Sequence, residues 1–241
     1  MTSARSLYQS GKLDEAIQAL GAEVRDNPTD VQRRTFLFEL LCFAGDYDRA
    51  EKQLAVLGHG GTDAEMGALV YQSALHAERL RKELFEQRAF PLNAPPRPVS
   101  GTLNGTPFSS IKDADPRIGR RLEIFAAGQY TWLPFEQIAS VRIESPKRLR
   151  DLLWVPAIVR TAESFQGVEL GEVLVPAIAP LSFQCADGAT RLGRVTQWQE
   201  VDDGLEAPIG QKLFLVDGEE FPILEVRELI ITPVGAGAAD S

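Results

Sequence analysis

Leu7-Tyr8-Gln9-Ser10-Gly11-Lys12-Leu13-Asp14-Glu15-Ala16-Ile17-Gln18-Ala19-Leu20 returns in pattern as Leu41-Cys42-Phe43-Ala44-Gly45-Asp46-Tyr47-Asp48-Arg49-Ala50-Glu51-Lys52-Gln53-Leu54. Gly11 and Gly45, Asp14 and Asp48, Ala16 and Ala50, and Leu20 and Leu54 are each 34 residues apart, the period of tetratricopeptide helix pairs. Each matched residue type has a physical task. The glycines suit a turn between antiparallel helices, where a positive φ is cheap without a Cβ. The aspartates fall in the first turn of the following helix, where negative charge complements the helix dipole. The alanines let two backbones approach closely. Asn27-Pro28 closes the second helix, and Thr29-Asp30 offers caps for the third.

Outward from the repeat, residues 62–88 place Met66, Leu69, Val70, Leu75, Leu80 and Leu84 partly at helical spacing. This segment is expected to be the first helix of a degenerate third repeat or a capping helix. So short an array buries each apolar face only against a neighbour, so its end must be covered by this helix and by the second half of the chain. Pro91, Pro95, Pro96 and Pro98 forbid a continuing helix and favour an extended connection. Beyond them the period changes. Strands are expected at 99–103, 122–126, 139–143, 154–160, 173–178, 194–201, 212–216 and 222–231, with Asn104-Gly105 and Asp217-Gly218 as tight turns. A short helix is expected at 146–153. The predicted fold is α+β in two parts: a TPR-like helical domain at 1–90, a proline-rich linker at 91–98, a β-rich domain at 99–234, mixed or barrel-like, and a frayed tail at 235–241.

With 44% apolar residues among 241, the chain can bury true hydrophobic cores. Its net charge is −9, and acids outnumber bases both before and after residue 90, so a phosphate backbone finds no electrostatic footprint and nucleic acid is not an expected partner. No stretch approaches the ~20 apolar residues that span a bilayer, and Arg5, Lys12, Asp14 and Glu15 break up any signal-peptide core. Cys42 and Cys185 sit apart in apolar stretches, as buried thiols in a reducing compartment do. A cytoplasmic location is expected.

Catalytic chemistry finds little to work with. His59 and His76 are the only histidines, and neither has a second histidine or cysteine at zinc spacing. There is no nucleophile elbow, Walker loop or Rossmann glycine pattern, so no cofactor or metal is expected. Gly58-His59-Gly60-Gly61 follows no strand and reads as a flexible inter-helix loop. Asp113 and Asp115, in Lys112-Asp113-Ala114-Asp115-Pro116, read as solvated turn carboxylates. The rival reading is a small hydrolase built on Asp113, Asp115 and Glu123. Trp132, Trp154 and Trp198 read by default as core, or as a docking hot spot if exposed.

Asp113-Ala114-Asp115-Pro116-Arg117, Tyr130-Thr131-Trp132-Leu133-Pro134-Phe135, Leu149-Arg150-Asp151-Leu152-Leu153-Trp154-Val155-Pro156-Ala157 and Arg191-Leu192-Gly193-Arg194-Val195-Thr196-Gln197-Trp198 occur in that order. In these motifs the chain resembles the ImpE/TagJ family of type VI secretion accessory proteins over nearly its whole length. It departs at Ala179-Pro180-Leu181-Ser182, where the family's usual pattern is Tyr, Pro, Gly, Ser. The resemblance implies a non-catalytic protein that binds the small contractile-sheath subunit, TssB or VipA, and bears on sheath recycling by the ClpV ATPase. It supplies no catalytic residue.

The repeat reading itself suggests where a partner would sit. First helices of tetratricopeptide pairs line the concave surface, which here presents Arg5, Tyr8, Gln9, Gln32, Thr35, Glu39 and Phe43 to an amphipathic helix or extended peptide. The protein's own third helix or second half could fill that face instead. Arg148-Leu149-Arg150-Asp151 is a competing docking surface. A general peptide-binding scaffold outside secretion remains the alternative function.

Overall fold

In the computed structural model of the protein, which describes residues 3–90, 95–163, 165, 169–202 and 204–232, Gly11 and Gly45 take φ of +77° and +70°. They turn α1 (Ala4–Gln9) into α2 (Leu13–Asp26) and α3 (Val31–Phe43) into α4 (Tyr47–Leu57). Asp30 and Asp46 cap α3 and α4, accepting from the backbone N–H of Arg33 and Arg49. Ala16 and Ala50 are fully buried between the helices. A single 3-10 turn at Gly58–Gly60, rather than a loose loop, leads into α5 (Thr62–Glu86).

The remaining chain forms β1 (Gly101–Leu103), β2 (Thr106–Phe108), β3 (Ile111–Asp113), β4 (Arg121–Ala126), β5 (Gln129–Pro134), β6 (Ile138–Ile143), β7 (Trp154–Thr161) and β8 (Glu169–Pro176). The short helix α6 (Gly188–Arg191) precedes β9 (Thr196–Asp202), β10 (Leu205–Gly210), β11 (Leu213–Val216), β12 (Glu219–Pro222) and β13 (Glu228–Ile231). The main sheet has the order β2-β1-β13-β6-β7-β8-β4-β5, with β12-β11-β3 and β10-β9 as smaller sheets, and every strand pairing is antiparallel. The sheet is therefore open, which corrects the barrel-like expectation. Its edges are blunted instead of joined: β2 is three residues long and contains Pro107, and the turn into β5 lies under α5, with Gly128 facing Ser73.

Asn104-Gly105 and Asp217-Gly218 have positive φ at both positions, the hairpin geometry their sequence predicts. Ala127-Gly128 makes the same turn, following the strand expected at 122–126. Residues 222–231, expected as one strand, hold a 3-10 turn at Ile223–Glu225 before β13, because Ile223 and Val226 are core residues without a strand partner. The helix expected at 146–153 is a 3-10 segment, Leu149–Leu152. The altered loop keeps Leu181 at φ +60°, a left-handed position natural to glycine. Ser182 holds it: its hydroxyl donates to the Ala179 carbonyl at 2.7 Å and accepts from Gly210 N–H at 2.8 Å. Part of the expected linker (91–94) and all of the expected tail (235–241) lie outside the described residues.

The sheet has a core on each face. On one, Leu122, Ile124, Val141, Val155, Val159, Val175, Phe214 and Leu229 pack together. On the other, Phe125, Leu153, Trp154 and Leu192 join one cluster with Leu41, Cys42, Phe43, Leu54 and Leu75 of the helices. The end of the array is closed by the sheet, as its brevity requires.

Through this seam runs a buried ion network. Arg81 of α5 grips Glu123 of β4 with Nε–Oε1 at 2.8 Å and Nη2–Oε2 at 3.0 Å. It also donates to the Ile178 carbonyl at 3.0 Å and to Glu78 at 3.0 Å. Lys212 lies between Glu123 and Asp113, and Tyr130 donates its hydroxyl to Glu123. Burial alone would push the Glu123 carboxyl up, yet Arg81 and Lys212 outweigh it and hold the group well below the usual range. A second seam joins α6 to the first turn: a Cβ on Gly188 would lie 2.0 Å from the Gly11 carbonyl, and Arg191 bonds Asp14 at 2.8 Å.

Replacing Glu123 by Gln leaves two buried cations with one carboxylate fewer. Urea unfolding should show a loss of about 3–5 kcal/mol, against little or none for Glu144→Gln, whose Lys147 pair is exposed. Equal effects of the two substitutions would remove the network from its place in the fold.

Candidate partner-binding groove

α1 and α3 lie side by side, and their outer faces bound a groove of about 600 Å³. Arg5, Tyr8 and Gln9 come from α1, and Gln32, Thr35 and Glu39 from α3. Six of the seven sequence-predicted residues thus meet in one place. Phe43 does not: it is 2% exposed and packs in the core beneath. The reason lies in α3 itself, which is half open at its start but buried on every side from Leu37 to Phe43, so the helical stripe dives into the core one turn after Glu39.

Two lining residues escaped the sequence reading, Val31 and Phe36, and a third, Leu149, was expected on the competing surface and not in this groove. Val31 and Phe36 lie one position from predicted residues on the same helical stripe and could have been found. That Leu149 joins them could not be foreseen, because it arrives from the β-rich half. That half walls the groove without filling it, and of the expected rival surface at Arg148-Leu149-Arg150-Asp151 only Leu149 lines it.

The groove is amphipathic. Tyr8 and Phe36 meet edge to face with ring centres 5.5 Å apart, and Val31 stands 64% exposed beside them. The Arg194 guanidinium lies 4.5 Å over the Tyr8 ring and donates to the Gln9 carbonyl at 2.8 Å. At the floor, burial pushes the Glu39 carboxyl up to about 7, against the pull of Arg150 and Arg148.

The other chemistry-bearing residues resolve differently. Asp113 and Asp115 are each 1% exposed, which corrects their reading as solvated turn carboxylates. Asp113 pairs with Lys212 and accepts from Asp115 N–H, while Asp115 binds Arg117 at 2.6 Å. With Glu123 fully buried in the same network, these carboxylates are committed to ion pairs. Among the described residues no His, Cys, Asp and Glu group is arranged to hold a metal, and no helix is long and apolar enough to cross a membrane. Trp154 is buried and donates to Glu78 at 3.0 Å. Trp132 stacks on Phe90, whereas Trp198 is 40% exposed on β9. Cys42 and Cys185 are both free thiols.

Residues 105–230 match the family model described as ImpE protein, and residues 7–72 match one described as tetratricopeptide repeat. A curated Pseudomonas aeruginosa protein, described as the type VI secretion system accessory component TagJ, is 34% identical over 268 residues, covering 97% of this chain and 92% of its own length. An X-ray crystal structure of a Vibrio parahaemolyticus protein has the same fold: TM-score 0.82 at 23% identity, over 95% of this chain and 97% of that one.

Two substitutions separate floor from core. The raised Glu39 group favours folding when protonated, so its contribution is complete below about 4.5 and is lost as pH rises through about 7. Glu39→Gln should therefore gain on the parent between pH 5 and pH 8 by roughly 2–3 kcal/mol in denaturant unfolding. Phe43→Ala should cost about 3–5 kcal/mol at any pH, the mark of a core residue.

Proposed function

The chain belongs to the ImpE family, and on that premise we propose that it is a non-catalytic, cytoplasmic adaptor of the type VI secretion apparatus. It holds the small contractile-sheath subunit, TssB or VipA, in the groove between α1 and α3, and through that contact it bears on sheath recycling by ClpV. The observation that carries this reading is the convergence of Arg5, Tyr8, Gln9, Gln32, Thr35 and Glu39 with Val31, Phe36 and Leu149 on one open, amphipathic groove. Exposed apolar side chains set among polar ones are what a helix laid in a groove requires. The match to a type VI secretion accessory component supplies the setting. The commitment of Asp113, Asp115 and Glu123 to buried ion pairs supports a role without turnover.

The test is calorimetric titration of the full chain with an N-terminal helical peptide of the cognate small sheath subunit. Val31→Glu, at an exposed first-turn position of α3 where acid suits the helix dipole, should weaken binding about tenfold or more while leaving the circular dichroism unchanged. Tyr8→Ala should do the same. Binding untouched by both substitutions moves the site off the groove, and absence of binding by the parent defeats the adaptor reading.

A further inference from the structure

The rim of the groove runs against the charge of the rest of the molecule. The chain carries −9, yet three exposed arginines stand by this groove: Arg5 on its α1 wall, Arg194 over Tyr8, and Arg148, which precedes the Leu149 wall in sequence; Asp30, beside Val31, is paired with Arg33. Among the described residues none of these three forms an ion pair with a carboxylate. Some exposed arginines elsewhere are neutralised locally, Arg33 by Asp30 and Glu23, Arg49 by Asp46, and Arg79 by Asp48 and Glu51, while Arg25, Arg160 and Arg227, like the three at the groove, stand exposed outside these pairs. The groove's one lining acid, Glu39, is buried beneath them, 8% exposed and close to Arg148 and Arg150. Charge at a rim acts over about a Debye length, ~8 Å at physiological salt, so a segment in this groove meets the arginines before it meets the acidic surface beyond.

We propose that the groove selects an acidic amphipathic helix, whose apolar side rests on Val31, Phe36 and Leu149 and whose flanking carboxylates meet Arg5, Arg148 and Arg194. This rests on the groove being the docking site of the sheath-subunit helix. It adds the partner's chemistry: apolar contact supplies area, and the arginines choose between helices of equal apolarity by the sign of their flanks. A basic helix of the same shape meets like charge on three sides.

The probes are two synthetic helices with the same leucines at i, i+3, i+4 and i+7, one flanked by glutamates and the other by lysines, titrated into the full chain. The glutamate helix should bind about tenfold tighter, as expected of a few exposed charge contacts acting together, and 0.5 M salt should shrink that preference. Arg5→Glu with Arg148→Glu should reverse it, while Arg5→Lys with Arg148→Lys should keep it, each with circular dichroism unchanged. Equal binding of the two helices, tighter binding of the lysine helix, or no binding of either overturns the proposal. Val31→Glu distinguishes the two levels. Where it abolishes capture of the sheath-subunit peptide but the two helices bind alike, the groove stands and the acidic preference falls. Where that capture survives both Val31→Glu and Tyr8→Ala, the groove reading itself fails.

Discussion

The grip of Arg81 on Glu123 sets the geometry on which the other contacts depend. It joins residues 42 positions apart, one on the last helix of the array and one at the middle of β4, with both partners at most 3% exposed. Taking two charges out of water is expensive, and a buried pair is weak evidence of net stability when set against a well-packed apolar alternative. What it does supply is specificity of placement. A guanidinium fork satisfied by two carboxylate oxygens, the Ile178 carbonyl and Glu78 tolerates no slip of α5 along the sheet, because any slip leaves charges buried and unpaired. An apolar seam alone would permit sliding at modest cost.

Fixing α5 also fixes the groove. α5 packs on α4 and, through Ala74 and Leu75, on the core that holds Leu153 and Trp154. The Leu149–Leu152 turn that ends beside them then stands against α3, where Leu149 becomes a wall. From the other side the Gly11–Gly188 approach and the Arg191–Asp14 pair hold α6 against the first helical turn, and Arg194 follows onto Tyr8. The groove belongs to the helices in most of its residues and to the whole fold in its position.

This division marks what was legible in the sequence. Local features were: the 34-residue repeat, its glycine turns, the aspartate caps and six groove residues depend on periodicity and φ preferences that a few neighbouring residues decide. Features set by tertiary contact were not. Phe43 continues the stripe of Glu39 perfectly well in sequence, and its packing with the helices and with Leu153 and Trp154 removes it from the surface. Asp113 and Asp115 sit in a run of turn residues, and nothing local announces that Lys212 and Arg117 will bury them. β5 was missed, although Gly128 marks the turn before it and takes a positive φ. The barrel-like expectation failed because alternation and turn spacing are the same in a closed sheet and in one whose edges are short or covered.

A groove assembled this way is rigid before anything enters it. Its walls are helices capped at both starts, a ring pair locked by Arg194, and a turn tied into a buried core, so little side-chain or loop ordering is left to be paid on docking. On the proposed reading the ordering cost falls on the partner, a segment that would form a helix to present its apolar face. Selectivity then resides less in contact area, which many amphipathic helices can match, than in how readily a given segment becomes helical and whether its flanks agree with the arginine rim. Two repeats closed by a sheet can therefore do what a longer array does by adding helices.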